Sequence, residues 1–171
     1  MVIGIDPCHE NLIEFSSKAL RKLSKGGLSN LLYILAAVEN LPHELHDLAD
    51  RVYINFPWGT LLQGVALVHE LTWDNITKIC KNGALIQIIF GYDSQHDKRE
   101  IERLNLPILN EAYLQNSMIP KLENLGFNVI DVKLLTVNDL REYPSTWAKK
   151  LSYGSNRNFY GIILQKKQET A

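Results

Sequence analysis

Apolar and polar positions along this chain alternate between two periods, and the changes of period mark out its elements. Short apolar runs rich in β-branched and aromatic residues, the pattern of buried strands, occur at "VIGID" (2–6), "LLYILAA" (31–37), "RVYINF" (51–56), "ALIQIIFGY" (84–92), "FNVIDVKLL" (127–135) and "NFYGIILQK" (158–166). Between them the spacing turns helical. Leu12, Ile13, Phe15, Ala19, Leu20 and Leu23 predict a helix over 10–23, stopped by Gly26 and Gly27. A long helix is predicted over 61–83, ending at Asn82-Gly83, and two more around 94–104 and 110–125, the last closing at Gly126. Strands alternating with helices predict a mostly parallel α/β sheet in a single domain spanning 1–171. The last two strands have no clear long helix between them, which predicts an antiparallel pair at one edge.

Open α/β sheets hold their ligands outside the carboxyl ends of the strands. Asp6, Ala37-Val38-Glu39 and Phe56-Pro57-Trp58 all fall at such ends. An acid placed like Asp6 suits the ribose hydroxyls of a nucleoside cofactor, although an Asp-Pro turn capping the next helix is its commoner use. Glu39 can reach an adenine or ribose, or simply solvate a surface. Pro57 cannot donate to a sheet ladder, so it ends the third strand and leaves Trp58 in a loop between Pro57 and Gly59. Trp73 sits among Leu67, Ile76 and Ile79 at helical spacing and reads as a packing residue. Trp147, between "YPST" (143–146) and "AKK", is a second loop indole beside basic residues. Two such indoles can close on the two faces of a nucleobase; two unrelated packing tryptophans are the commoner situation in proteins.

Composition narrows the classes. The chain has 171 residues, 46% of them hydrophobic and 22% charged, values that suit a globular domain and exclude a disordered one. A formal net charge of −1 gives no global field for nucleic acid. The charges are nevertheless segregated. Lys18, Arg21, Lys22 and Lys25 crowd 16–27, Lys149, Lys150 and Arg157 crowd 147–157, and 39–50 is acidic. That arrangement makes either a basic face on a neutral protein or two solvated surfaces. No apolar run is long enough to cross a bilayer, and no secretory pattern opens the chain, so a cytoplasmic protein without membrane contact is expected. Cys8 and Cys80 make no disulfide framework. His43 and His46 have no third ligand at recognised spacing, so no metal centre is expected. No nucleophile elbow is present either.

Four segments carry a more specific signal. "KGGLSN" (25–30), "LPHEL" (41–45), "FPWGTLL" (56–62) and "STWAKKLSYG" (145–154) resemble, in this order, the Kam/Npm-type aminoglycoside-resistance 16S rRNA methyltransferases. Those enzymes methylate N1 of adenine 1408 in the ribosomal decoding site. The resemblance runs over essentially the whole chain. It implies a class I, Rossmann-like methyltransferase fold, S-adenosyl-L-methionine as cofactor and the 16S rRNA of the 30S subunit as partner. It further implies that Asp6 holds the cofactor ribose, that Ala37, Val38 and Glu39 line its adenine, and that Asn55, Thr60 and Ser145 stand close to it. Trp58 and Trp147 would stack on the target adenine, and Lys18, Arg21, Lys22, Lys149, Lys150 and Arg157 would contact the rRNA backbone. Ser17 and Ser155 stand where relatives carry basic residues.

The same resemblance implies a strand, a Gly-rich loop of the type D-x-G-T-G-x-G and a helix ahead of "VIGID". The chain reads as an N-terminally truncated family domain in which the strands at 2–6 and 51–56 lack the one expected between them. A chain of that kind is expected to hold cofactor poorly, so an inactive or RNA-binding-only remnant stands beside the enzyme reading. Two rivals are weaker. A dinucleotide-dependent oxidoreductase would need a proton donor beside a nicotinamide, which nothing here suggests. A methyltransferase for small molecules would not need two basic segments.

Overall fold

A computed structural model of the protein describes residues 1–143, 145, 148–150 and 158–168. Trp147, Ser155 and Arg157 lie outside the described residues. The chain divides into two compact units, Met1–Glu44 and Leu45–Ala171.

In the first unit, β1 (Val2–Asp6) and β2 (Leu31–Leu35) form a two-stranded parallel sheet with Val2 opposite Leu31 and Asp6 opposite Leu35. The crossover between them carries α1 (His9–Ala19). Gly4 leaves the space that the Tyr33 ring fills: a Cβ there would lie 2.6 Å from two ring carbons. The helix predicted to reach Leu23 stops at Ala19. Leu28 donates its N–H to the Ala19 carbonyl (2.9 Å), and Gly27 presses on the Arg21 carbonyl so closely that no side chain fits. The chain doubles back across the helix end, which the spacing of Leu20 and Leu23 did not show. Only Ala19 of α1 is buried, while Ile13 and Phe15 are exposed.

In the second unit, β3 (Ala49–Asn55) runs parallel to β4 (Cys80–Phe90). β4 pairs antiparallel with β6 (Phe159–Lys166), and β6 with β5 (Phe127–Leu135), giving the order β3-β4-β6-β5. The antiparallel edge expected from the last two strands is therefore present. One face of this sheet is the core. Ile54, Ile86, Ile88, Ile162 and Leu164 meet there in register, all buried.

The helix predicted over 61–83 is two helices, α2 (Gly59–Leu67) and α3 (Glu70–Ile79), with β4 starting at Cys80. Val68 takes a left-handed conformation (φ 56) between them. The break is a packing event. A Cβ on Gly64 would collide with the Thr72 side chain, so α3 folds back tightly over α2 at that glycine. The buried Trp73 indole donates to the Gly64 carbonyl at 3.2 Å and meets the Phe127 ring edge-on at 5.3 Å. Asn82-Gly83 is not a helix stop; Gly83 (φ 78) lies within β4. The end of α3 is capped from a distance: the buried Lys166 ammonium donates to the carbonyls of Thr77 (3.1 Å) and Cys80 (2.9 Å).

β4 is followed by α4 (Lys98–Leu104). α5 (Glu111–Tyr113) then runs through a π-helical turn (Leu114–Met118) into α6 (Ile119–Asn124). α7 (Val137–Glu142) follows β5.

The two thiols differ sharply. Cys80 is fully buried, and loss of water pushes its pKa up to about 11 against the opposing pull of Lys166, whereas Cys8 is half-exposed. Titration with a thiol reagent should therefore find one reactive cysteine in the native protein and two after denaturation. Two in the native protein would mean that the start of β4 opens readily.

Candidate active site

β3 delivers Asn55 to its carboxyl end, and the next five residues form the turn that predicted a ligand-facing tryptophan. Phe56 adopts a left-handed conformation (φ 52), and its N–H donates to the Ile89 carbonyl at 2.7 Å. Strain of this kind costs on the order of 1–3 kcal/mol and persists only where the surroundings enforce it. The Phe56 ring meets Tyr143 edge-on at 6.1 Å and Phe159 at 5.8 Å. Pro57 is buried; Trp58 is 57% exposed. Gly59 (φ 61) opens α2, and its N–H lies close enough to the Glu100 carboxylate to help lower the pKa of that group. Arg103 binds that carboxylate through two nitrogens (2.9 and 2.7 Å) and, with the nearby Gly59 N–H, holds its pKa below the usual range. The turn is thus fastened at Phe56, ahead of an indole left exposed. Thr60 stands exposed in the first turn of α2.

A second segment is anchored to this turn. α7 opens with a capping box in which the Thr136 hydroxyl accepts from the Asp139 N–H while Asp139 accepts from Thr136. Lys133 and Thr136 hold the Asp139 carboxyl far below its ordinary pKa. α7 delivers Tyr143, whose hydroxyl donates to Asn55 Oδ1 at 3.0 Å and accepts from Gln87 Nε2 at 3.5 Å. Ser145 follows; its N–H donates to the Tyr143 carbonyl (2.7 Å), and its Oγ accepts from the Ala148 N–H (3.4 Å). Lys149 and Lys150 are exposed just beyond. Asn55, Trp58, Thr60 and Ser145 therefore belong to one connected assembly within Leu45–Ala171.

The first unit brings together the other predicted residues. Asp6 ends β1, Ala37 follows the end of β2, and the Ala36 N–H donates to the Asp6 carbonyl at 3.3 Å. Ala37 opens a short 3₁₀ turn (Val38–Asn40) that holds Val38 and the exposed Glu39. The Asp6 carboxylate accepts from the Cys8 N–H (2.7 Å) and from Asn11 Nδ2 (3.2 and 3.1 Å). It makes a turn just ahead of α1 without capping it, since the N-cap position is Cys8 and carries no side-chain cap bond, and, half-exposed, it keeps acceptor capacity for a diol. Lys18, Arg21 and Lys22 are exposed, but Lys18 pairs with Glu14, an acid just outside the basic segment.

Several residues that shape these turns were not singled out from the sequence: Tyr143, Gln87, Glu100 and Arg103. Glu100 and Arg103 are spaced i, i+3 on a charged helix, a signal that predicts their pairing but not their place beside Gly59. A cavity of about 520 Å³, lined by His46, Lys78, Lys81 and Lys166 among others, lies at the amino ends of β3 and β4. It is at the opposite end of those strands from Trp58 and takes no part in the assembly above.

Parallel β1-β2 and β3-β4 pairs with an antiparallel carboxyl-terminal edge, together with the solved structures the chain superposes on, define a class I, Rossmann-like methyltransferase fold. The family model of NpmA, 16S rRNA (adenine(1408)-N(1))-methyltransferase, matches residues 1–166, and the chain belongs to that family. A 16S rRNA (adenine(1408)-N(1))-methyltransferase of Escherichia coli is 40% identical over 94% of this chain and 74% of its own. The aminoglycoside resistance methyltransferase NpmB1 superposes with a TM-score of 0.82 at 33% identity, covering 96% of this chain and 75% of its own. A tryptophan-to-alanine variant of the 16S rRNA (adenine(1408)-N(1))-methyltransferase from Catenulisporales acidiphilia, solved with cosubstrate SAM, superposes with a TM-score of 0.87 at 30% identity, covering 99% and 76%.

Proposed function

We propose that this chain transfers the methyl group of S-adenosyl-L-methionine to N1 of adenine 1408 in the 16S rRNA of the 30S subunit, in the cytoplasm, and thereby confers aminoglycoside resistance. The observation that carries the reading is Trp58, an exposed indole at a strand end, between the buried Pro57 and Gly59 and just after a Phe56 whose N–H is bonded to the neighbouring strand. The cofactor supplies an activated sulfonium methyl. N1 of an unpaired adenine has an in-plane lone pair and is unprotonated at neutral pH, so neither a general base nor a metal is needed. What the protein must supply is orientation, worth at best about 7–11 kcal/mol.

Trp58 stacks on the adenine and fixes its plane while leaving the N1 edge free; Trp147 provides the opposite face. The product ring is cationic, and an indole face attracts it. Asp6 holds the cofactor ribose with the acceptor sites its own turn leaves open. Ala37, Val38 and Glu39 line the cofactor adenine, and Asn55, Thr60 and Ser145 stand at its reactive end. Lys18, Arg21, Lys22, Lys149, Lys150 and Arg157 neutralise rRNA phosphates. In this reading the two units act as one methyltransferase domain over 1–171.

Calorimetric titration of S-adenosyl-L-methionine, with S-adenosylhomocysteine beside it, tests the cofactor role. On the enzyme reading, and against the poor binding expected of a truncated domain, binding should be micromolar and be weakened at least about tenfold by Asp6→Ala through loss of a charge-assisted hydrogen bond. One observation favours a second reading. Among the described residues, β1 and β3 each have one edge without a ladder partner, because the strands fall into two sheets. A chain that keeps the stacking and basic residues but does not hold the cofactor would show no heat with either ligand, and would still bind the small subunit.

A further inference from the structure

We propose that Tyr143 is a positioning residue whose hydroxyl, held between Asn55 and Gln87, sets the turn carrying Trp58 against the segment carrying Ser145. The inference rests on the reading in which Trp58 stacks on the target adenine, and it adds a residue that has no contact with the reacting atoms. Three observations carry it. The hydroxyl is used in both senses, accepting from Gln87 Nε2 (3.5 Å) and donating to Asn55 Oδ1 (3.0 Å). Its two partners come from adjacent strands and share a sheet face: Tyr53 lies opposite Gln87, and Asn55 opposite Ile89. The phenol is therefore located by two strands at once.

The ring, in addition, meets Phe56 edge-on (6.1 Å, 83°), the residue forced into the left-handed conformation at the root of the Trp58 turn. Along the chain, Asn55 is three residues before Trp58, and Tyr143 is two residues before Ser145. Partial burial raises the phenol pKa, so the hydroxyl remains a donor at any pH where the protein works. A ring that only packed would need neither hydrogen bond, and phenylalanine would serve as well. That difference is the basis of the test.

Wild type, Tyr143→Phe, Asn55→Leu and the double variant would be compared by hydrogen–deuterium exchange and by methylation of 30S subunits. Tyr143→Phe keeps the contact with Phe56, so the melting temperature should stay within about 4 °C of wild type, in line with loss of two partly exposed hydrogen bonds. Deuterium uptake should rise in peptides covering 55–62. The value of kcat should fall about fivefold, with KM for the small subunit changed less than about twofold. The double variant should be no worse than the poorer single one, the signature of residues acting as a pair. Wild-type exchange and wild-type kcat in Tyr143→Phe would overturn the proposal, as would additive losses in the double variant. A wild-type chain that transfers no methyl group would instead remove the proposed function, and the exchange comparison alone would then decide the role of Tyr143.

Discussion

Trp58→Ala is expected to lower adenine methylation by about 5- to 150-fold while leaving the melting temperature where it is. The size follows from stacking: a base on an aromatic ring is worth about 1–3 kcal/mol, which converts to that range of rates if the stack is complete only in the reacting geometry. The unchanged stability follows from the structure. The indole is 57% exposed, and its side chain makes no capping bond to α2. The turn is held instead by the Phe56 N–H to Ile89 and by the rings of Tyr143 and Phe159 against Phe56, all of which survive the substitution. Trp58→Phe retains a smaller π-face and should fall between. Methylation of 30S subunits with labelled cofactor, read beside a thermal melt, makes the check. An alanine variant with full activity would remove Trp58 from the site, and one that melts early would make it a packing residue.

The turn around Trp58 was legible because its cause is local. Pro57 cannot continue a ladder, Gly59 permits the positive φ at the start of α2, and the apolar run before them can only be a strand. The same holds for β5, predicted at 127–135 and found at Phe127–Leu135. Asp6 was legible as an Asp-Pro turn for a similar reason. What the pattern could not show were events between distant residues. Apolar spacing over 61–83 is continuous, yet α2 stops where Gly64 lets Thr72 and Trp73 close on it. α3 ends where Lys166, 86 residues from Cys80, caps it. The bond from Tyr143 to Asn55 spans 88 residues and leaves no trace in either local sequence. Exposed Ile13 and Phe15 show the reverse case: an apolar-rich run predicted α1, but such a run says nothing about whether its apolar side chains are covered.

The other tryptophan in the described residues should behave in the opposite way. Trp73→Ala is expected to destabilise Leu45–Ala171 by about 3–5 kcal/mol, the cost of removing a buried aromatic ring and leaving a cavity. Trp73 is 0% exposed, its Nε1 satisfies the Gly64 carbonyl, and its ring meets Phe127, which begins β5. One side chain thus ties α3 to α2 and to the edge strand of the sheet. Set against a domain stability of about 5–15 kcal/mol, the loss should lower the melting temperature by on the order of 10–20 °C. Trp73→Phe, which keeps a ring but not the indole N–H, should cost less. Methylation would fall in both alanine variants, so activity alone cannot separate a stacking indole from a core one. The thiols can. Cys80 directly follows α3, so loosening this helix should expose it to reagent in Trp73→Ala, whereas in Trp58→Ala it should stay as protected as in the wild type. If Trp73→Ala instead melts with the wild type and keeps Cys80 shielded, the junction of α2 and α3 is held by Thr72 against Gly64 and by Lys166, and the indole only fills space.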